Sequence, residues 1–335
     1  MNLRQLHLRL QKIYRWEFWP MNVFLIPVYL YYGWCALKAL DLGWYRHVNP
    51  SMPFSGLLVG KKKILDYFDQ TFVPMTERFE GLVRETECEG VIKKIQNNFV
   101  LPLIVKPDKG ARGQLVEKIN DWQELENYLE AFEGDLLVQE YVSLPLEFGV
   151  FYVRIPGQEF GKITSLMERK FLKIAGDGVS SLEELIRRHD RARFYESDLA
   201  TRYDMKKVLL AGELKQLGFI GNHCRGTTFA DVNNRINSQL NKTFDRLSKQ
   251  MPDFYYGRYD IRCESFAAME RGDFKIIELN GFFSEPGHVY DPKNKIFRAY
   301  RDYLAHYQMM FAVYKNISEK LPSMSLRAQW GILFS

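Results

Sequence analysis

The chain has few of the residues that carry thiolate-metal, disulfide or histidine chemistry. Four cysteines and six histidines are scattered over 335 residues. Cys35, Cys88, Cys224 and Cys263 form no CxxC pair and join no His/Cys cluster, which argues against zinc and for free thiols in a reducing compartment. There is no internal repeat and no low-complexity tract. The pattern GxxxxGK[ST] is absent, so a Walker A loop is excluded. No small-residue cleavage site follows the first apolar segment, so that segment does not read as a signal peptide. The net charge of +5 is slight for this length and gives no reason to expect nucleic acid as a partner. A content of 46% hydrophobic and 26% charged residues is ordinary for a globular chain, long enough for two or three subdomains with a real core.

What the chain does have is an aromatic, basic beginning. Arg4, Arg9, Lys12 and Arg15 alternate with Leu3, Leu6, Leu8, Leu10 and Ile13, and WPMNVFLIPVYLYYGWCALKALDLGWY follows from Trp19 to Tyr45. Four of the six tryptophans precede residue 45, so the aromatics gather here rather than spreading through a core. Basic residues followed by Trp- and Tyr-flanked apolar sequence suit a membrane interface. The run from Trp19 to Lys38 is about long enough to span a bilayer. Pro20, Asn22, Pro27 and Gly33 interrupt it. Three readings stay open: a helix lying in the interface, a single span, or helices buried in the fold. Asn49-Pro50 and Pro53 close the segment, and Lys61-Lys62-Lys63 opens a predicted helix, KKKILDYFDQTF, that ends before Pro74.

The middle of the chain alternates strands and helices. FVLPLIVK (Phe99–Lys106) reads as a strand running into PDKGARGQLV, a loop with Gly110, Gly113 and the basic Lys106, Lys109 and Arg112. Glycine lets backbone N–H groups approach phosphate oxygens, and lysine supplies a point charge. DWQELENYLEAF is a predicted helix capped by Asp121. Leu136 to Tyr141 is a short apolar strand ending in Gln139, Glu140, Tyr141 and Val142. Such a hinge can hold an adenine by its edge and face, with Glu147 placed for the ribose hydroxyls; the alternative is a plain sheet edge. EFGVFYVRI and GKITSLMERK read as a hairpin, and Ser181 with Glu184 forms a capping box after the turn Gly176-Asp177-Gly178. Residues 187–217 read as charged and helical, a helix begins near Asn234, and residues 293–317 read as a closing amphipathic helix.

The most informative stretch runs from Gly257 to Pro292. Arg258 and Asp260 lie two apart in one strand pattern, Glu278 and Asn280 two apart in the next. Residues spaced by two share a face of a strand, so adjacent strands would gather an arginine, two acids and an amide. That donor set is oxygen-rich and hard, suited to Mg²⁺ holding a nucleotide phosphate; the alternative is a solvated face of a hairpin. Glu285, His288 and Asp291 follow.

In this order the pieces resemble the ATP-grasp superfamily, and within it the carboxylate–amine ligases of the cyanophycin synthetase, D-alanine–D-alanine ligase and glutathione synthetase type. IVKPDKGARG looks like the family's strand and small lid loop, VQEYV plus Glu147 like its adenine hinge and ribose acid, and KIAGDGVSSLEELI like the GDG segment of the cyanophycin synthetase type. NHCRGTTFADV resembles the loop that the same group carries before its metal strands, and GRYDIR and IIELNG look like the two metal strands themselves. The resemblance implies an α+β fold of two subdomains clamping ATP, here behind a hydrophobic helical segment. It divides the chain into 1–47 (helical, membrane-interface-like), 48–97 (a short preceding region), 98–165 (lid), 166–317 (metal-binding) and 318–335 (tail). Asp260, Glu278 and Asn280 would ligate two Mg²⁺ ions, with Mn²⁺ a substitute. Lys106 and Lys61, with Lys162 or Lys170, would supply charge to the phosphates; Lys62 or Lys63 could replace Lys61. Arg258 would stabilise an acyl phosphate, and His288 or Glu285 would orient or deprotonate the amine.

The resemblance thus implies an ADP-forming ligase acting on a small-molecule or lipid-linked carboxylate and an amine. It would sit in the cytoplasm, peripheral on the inner face of the cell membrane through residues 1–47, with a homodimer an open alternative. A kinase-like phosphotransferase and a non-catalytic nucleotide sensor are the competing readings. The aromatic segment occupies the space where the family carries an α/β unit of roughly a hundred residues that helps bind substrate (a small domain's length), so the substrate does not carry over.

Overall fold

The hairpin expected at the centre of the sequence forms, and the two faces of its sheet organise most of the molecule. The computed structural model describes residues 3–52, 54, 59–82, 88–110, 115–218, 226–321, 325 and 327. Gly113 and residues 222–225 of the NHCRG segment lie outside them. The helices begin with α1 (Leu3–Tyr14), α2 (Met21–Phe24), α3 (Ile26–Ala39), α4 (Lys61–Leu65), α5 (Cys88–Asn98) and α6 (Trp122–Ala131). They continue with α7 (Leu182–Arg188), α8 (Glu196–Ala200), α9 (Ser238–Ser248), α10 (Phe266–Arg271) and α11 (Ile296–Asn316). The strands are β1 (Thr76–Leu82), β2 (Leu103–Pro107), β3 (Glu117–Ile119), β4 (Gly134–Glu140), β5 (Leu146–Val153) and β6 (Lys162–Lys170). After these come β7 (Leu172–Ala175), β8 (Leu214–Leu217), β9 (Thr228–Asp231), β10 (Tyr256–Cys263) and β11 (Phe274–Asn280). The fold is α+β, as expected.

Three sheets form: β1-β4-β2-β3, β11-β10-β5-β6-β9, and the pair β7-β8. The division between the two larger sheets falls in the link between β4 and β5, where the sequence reading put it at 165. The hairpin β5-β6 pairs with β10 and so belongs to the second sheet, while β1 extends the first sheet upstream of residue 98. Two helix expectations change as well. The lysine-led helix stops at Leu65, and residues 187–217 contain only short helical turns and β8. Local caps behave as read: Asp121 accepts from the Glu124 N–H, and Ser181 and Glu184 close a capping box.

Alternation along the strands gives the five-stranded sheet two unlike faces. One carries Phe148, Val150, Tyr259, Ile261 and Ile276, and packs with Leu240, Phe244 and Leu247 of α9, Met269 of α10, and Ile64 and Leu65 of α4. The other face is split. Phe151, Val153 and Tyr256 are covered by Met310, Val313 and Tyr314 of α11 and by Cys35 and Ala36 of α3. Met167 meets Phe24, Val28 and Tyr303. Beyond that cover the same face carries charge. The amino-terminal helices are therefore partly core. Among the described residues no helix is long and apolar enough to cross a membrane.

The four-stranded sheet has the same logic. Leu103, Val105, Leu136 and Val138 pack on Ile92 and Ile95 of α5 and on Leu125 and Leu129 of α6. Lys106 and Gln139 alternate with these residues, share the opposite face, and are buried.

Candidate active site

The hairpin register sets the site. In β10-β11 Arg258 stands opposite Asn280 and Asp260 opposite Glu278. In β10-β5 Asp260 stands opposite Gly149 and Arg262 opposite Glu147. Gly149 makes the crowding tolerable: a Cβ there would lie 2.7 Å from Met167 Cε and 3.2 Å from Arg258 Cδ. Arg258 chelates Asp260, Nε donating to Oδ1 (2.8 Å) and Nη2 to Oδ2 (3.2 Å), while its Nη1 donates to the Glu285 carbonyl (3.1 Å). Asn280 Nδ2 donates to Asp260 Oδ2 at 3.3 Å. Burial would raise the Asp260 carboxyl, but the Arg169 and Arg258 guanidinium groups outweigh it and hold the group below the ordinary carboxylate range. Glu278 takes no side-chain hydrogen bond or ion pair among the described residues.

The first sheet reaches this cluster through Lys106. Its buried Nζ donates to Gln139 Oε1 (3.0 Å) and, across to the second sheet, to the Ile277 carbonyl (3.4 Å). Burial, opposed by the charge of Glu278, brings the ammonium down to about 8. Gln139 is fixed in turn by donating to Thr76 Oγ1 (3.0 Å). Lys61, at the start of α4, ties down the loop after β2, donating to the carbonyls of Gly110 (2.8 Å) and Pro107 (3.3 Å). Gly60 (φ 84°) leaves no room for a Cβ against the Asp108 carboxylate, which accepts the Lys62 N–H (2.9 Å) and pairs with Arg78 (3.1 Å).

Solved structures of three ligases resemble the chain. VanG D-Ala:D-Ser ligase from Enterococcus faecalis aligns over 77% of this chain and 62% of its own, with 14% identity and a TM-score of 0.45. D-alanine–D-alanine ligase from Bacillus anthracis aligns over 78% and 68%, with 13% identity and a TM-score of 0.41. A bifunctional glutathione synthetase from Pasteurella multocida aligns over 73% and 35%, with 15% identity and a TM-score of 0.36. The chain spans about three-fifths of the length of the D-Ala:D-Ser ligase. No protein-family model matches the chain, and no curated protein matches it.

The structure gathers many of the expected residues and separates others. Lys106, hydrogen-bonded to Gln139, crosses to the Ile277 carbonyl and lies in the field of Glu278 and Asp260, whose strands also carry Asn280 and Arg258. Glu147 is present but engaged: Arg169 Nη1 donates to its Oε1 (2.5 Å) and Arg262 Nε to its Oε2 (3.0 Å). Arg262 also donates to the Val142 carbonyl (2.6 Å) and stands 5.5 Å from the Tyr141 ring centroid, so it links the hinge to the metal-strand hairpin. Glu140 is exposed and accepts the Met75 N–H (3.2 Å). Lys162 opens β6 at the end opposite Arg169, where it pairs with Val153, and Lys170 is exposed beside Glu168 (3.7 Å). Glu285 accepts from the Tyr290 hydroxyl (2.8 Å). His288 is buried, with Nδ1 2.6 Å from Ser165 Oγ and Nε2 3.5 Å from Asp302 Oδ2, so both ring nitrogens are engaged within the fold.

Two arginines at the heart of the cluster, Arg169 and Arg262, are absent from the sequence reading. Their signal was weak but present. Each follows the site face by strand alternation, Arg262 two residues after Asp260 and Arg169 two after Met167.

Among the described residues no group of three or more His, Cys, Asp and Glu side chains could hold a metal ion. The candidate set is two carboxylates and an amide. All its ligating atoms are oxygens, and among the described residues the Glu278 carboxylate takes no side-chain hydrogen bond or ion pair, so the set fits a hard divalent cation in chemistry.

Proposed function

We propose that the chain is an ATP- and Mg²⁺-dependent ligase that joins a carboxylate to an amine through an acyl phosphate, at a membrane surface. The observation that carries the reading is the meeting of Lys106 from one sheet with Asp260 and Glu278 from the other, on the paired strands that also carry Arg258 and Asn280. A phosphoryl group in transfer needs charge neutralisation in a water-poor setting. Lys106 supplies a buried ammonium that is charged at neutral pH. Arg258 supplies a guanidinium fixed by Asp260 and the Glu285 carbonyl. Asp260, Glu278 and Asn280 would hold Mg²⁺, which when bound neutralises phosphate charge. Lys61 holds residues 107–110 after β2 through the Pro107 and Gly110 carbonyls. His288, fixed between Ser165 and Asp302, acts on the amine only by positioning the loop from Glu285 to Asp291.

The membrane part rests on the outer face of α3. Leu30, Leu37 and Leu40 are 72%, 69% and 94% exposed, and Ile26, Tyr29 and Trp34 are exposed beside them. No acidic residue occurs between Phe18 and Leu40, and Lys38 stands over the Trp34 ring at 4.9 Å. An apolar face edged by Trp and Lys suits the headgroup boundary of a bilayer.

The test is ADP release from Mg-ATP with pooled carboxylates and amines. Release that needs both substrates and is lost in Glu278→Ala supports the ligase. Release with one substrate alone replaces it by a phosphotransferase, and failure to bind Mg-ATP overturns it. Sedimentation with vesicles containing anionic lipid, for the native chain and Leu30→Glu/Leu37→Glu, tests the membrane part; equal sedimentation overturns it.

A further inference from the structure

Arg169 spends its terminal nitrogens on two acids from different strands. Nη1 donates to Glu147 Oε1 (2.5 Å), and Nη2 pairs with Asp260 Oδ2 (2.9 Å). Its side chain is only 10% exposed, yet its buried Nε has no hydrogen-bond partner among the described residues. Asp260 is correspondingly over-supplied with donors. Oδ2 receives Arg169 Nη2, Arg258 Nη2 and Asn280 Nδ2, and Oδ1 receives Arg258 Nε. A carboxylate oxygen has about two lone-pair sites, so one of the three donors at Oδ2 is surplus. Arg258 is the bidentate partner, and Asn280 lies on the paired strand. Arg169 makes the shortest of the three contacts and is the one donor from a strand not paired with β10, reaching Asp260 from β6 across the intervening β5.

We propose that Arg169 is a built-in counter-ion that stands where a divalent cation would meet Asp260, and that it must leave Asp260 for the ion to bind. The inference rests on the ligase reading for the identity of the ion. With Arg169 on Asp260, the carboxylate is neutralised and its outward oxygen filled, so the ion binds weakly in the absence of nucleotide. When Arg169 turns away it carries the freed Nη2 and the unused Nε, two donors in the fork geometry that suits a phosphate oxygen. The nucleotide would then take the guanidinium and release Asp260 to the metal, so that nucleotide and ion bind as a pair. Glu147 stays attached through Nη1 and limits the movement to a pivot.

The test uses Mn²⁺ alone as the probe on the full chain without nucleotide, read as free-ion loss by electron paramagnetic resonance and as heat by calorimetry. Arg169→Gln is expected to tighten Mn²⁺ binding on the order of tenfold or more, because a like charge at contact distance is removed. Should that variant not fold, Arg169→Met, which fills a similar volume without charge, carries the same expectation. The gain must vanish when Asp260→Asn is added. Unchanged or weaker Mn²⁺ binding in a folded Arg169 variant overturns the proposal, as does a gain that survives Asp260→Asn. The ligase reading fails separately: if Mn²⁺ tightens as expected but the native chain never releases ADP, the counter-ion role stands and the reaction does not.

Discussion

The five-stranded sheet sets two chemistries on one backbone. On one face Phe148, Val150, Tyr259 and Ile261 are fully buried against α9, α10 and α4. One residue along each strand, Glu147, Arg258, Asp260 and Arg262 form a lattice of charge, with Gly149 leaving room for it. The apolar face gains from every methylene removed from water, roughly 1.5–3 kcal/mol for each large side chain. The charged face gains little from burial itself, because desolvating its ions offsets most of their attraction. Stability and function are therefore written on opposite sides of the same strands, and substitutions should divide accordingly.

The largest effect expected is on the apolar side. Phe148→Ala should cost about 3–5 kcal/mol, read by chemical denaturation, while each molecule that remains folded keeps its activity. Glu278→Ala should do the reverse. Among the described residues its carboxylate takes no side-chain hydrogen bond or ion pair, so the stability lost is limited to its attraction for buried Lys106 and should be far smaller than in Phe148→Ala, while turnover falls on the order of 10²–10³-fold. A Glu278→Ala chain that unfolds as readily as Phe148→Ala would break the comparison.

Lys106 sharpens it through pH. Burial lowers its folded value from 10.5 to about 8. Between these values the unfolded chain holds the proton and the folded chain does not, so stability should rise with pH across that window, by about 3 kcal/mol at most. Nucleotide affinity should move the other way and weaken above pH about 8, as the phosphate loses its cation. Parallel denaturation and nucleotide titrations from pH 7 to 10 check both trends, and Lys106→Met should flatten both.

An effect of similar size, at the acid end, is expected on the covered half of the charged face. His306 donates from Nδ1 to the Asp302 carbonyl (2.7 Å) and lies 3.0 Å from Thr164 Oγ1 at Nε2. Burial brings its folded value from 6.5 down to about 4. Here the unfolded chain binds the extra proton, so stability should fall as pH drops from about 6.5 to about 4. Denaturation midpoints measured at pH 7 and pH 4.5 should differ less in His306→Gln.

The division was legible where spacing alone decides it. The pairs Arg258/Asp260 and Glu278/Asn280 declared a shared strand face, and the hairpin register brought them together. The caps at Asp121 and Ser181 are local and were equally readable. Arg169 escaped because its partners belong to other strands, Glu147 twenty-two residues away and Asp260 farther still, and no local pattern announces such neighbours. The burial of His288 between Ser165 and Asp302 was not legible, because it is set by α11 and β6, not by the loop that carries it. The amino-terminal helices were ambiguous for a physical reason: α3 buries Val28, Cys35 and Ala36 on one side and exposes Leu30, Leu37 and Leu40 on the other. An aromatic amphipathic pattern is the same string of letters in either environment.

The packing of α3 against α11 also sets an order of events in the cell. Cys35, Ala36 and Trp44 share a cluster with Met310, Val313 and Tyr314. Asn49 likewise clips the start of β10, accepting the Tyr255 and Tyr256 N–H groups and donating to the Tyr256 carbonyl. A ribosome delivering 5–20 residues per second needs roughly 13–50 s to make the stretch of about 260 residues between α3 and α11. Through that interval α3 lacks the cover that α11 gives it in the finished fold. α3 is thus made well before the helix that completes its seat, and its apolar side lacks that helix in the nascent chain.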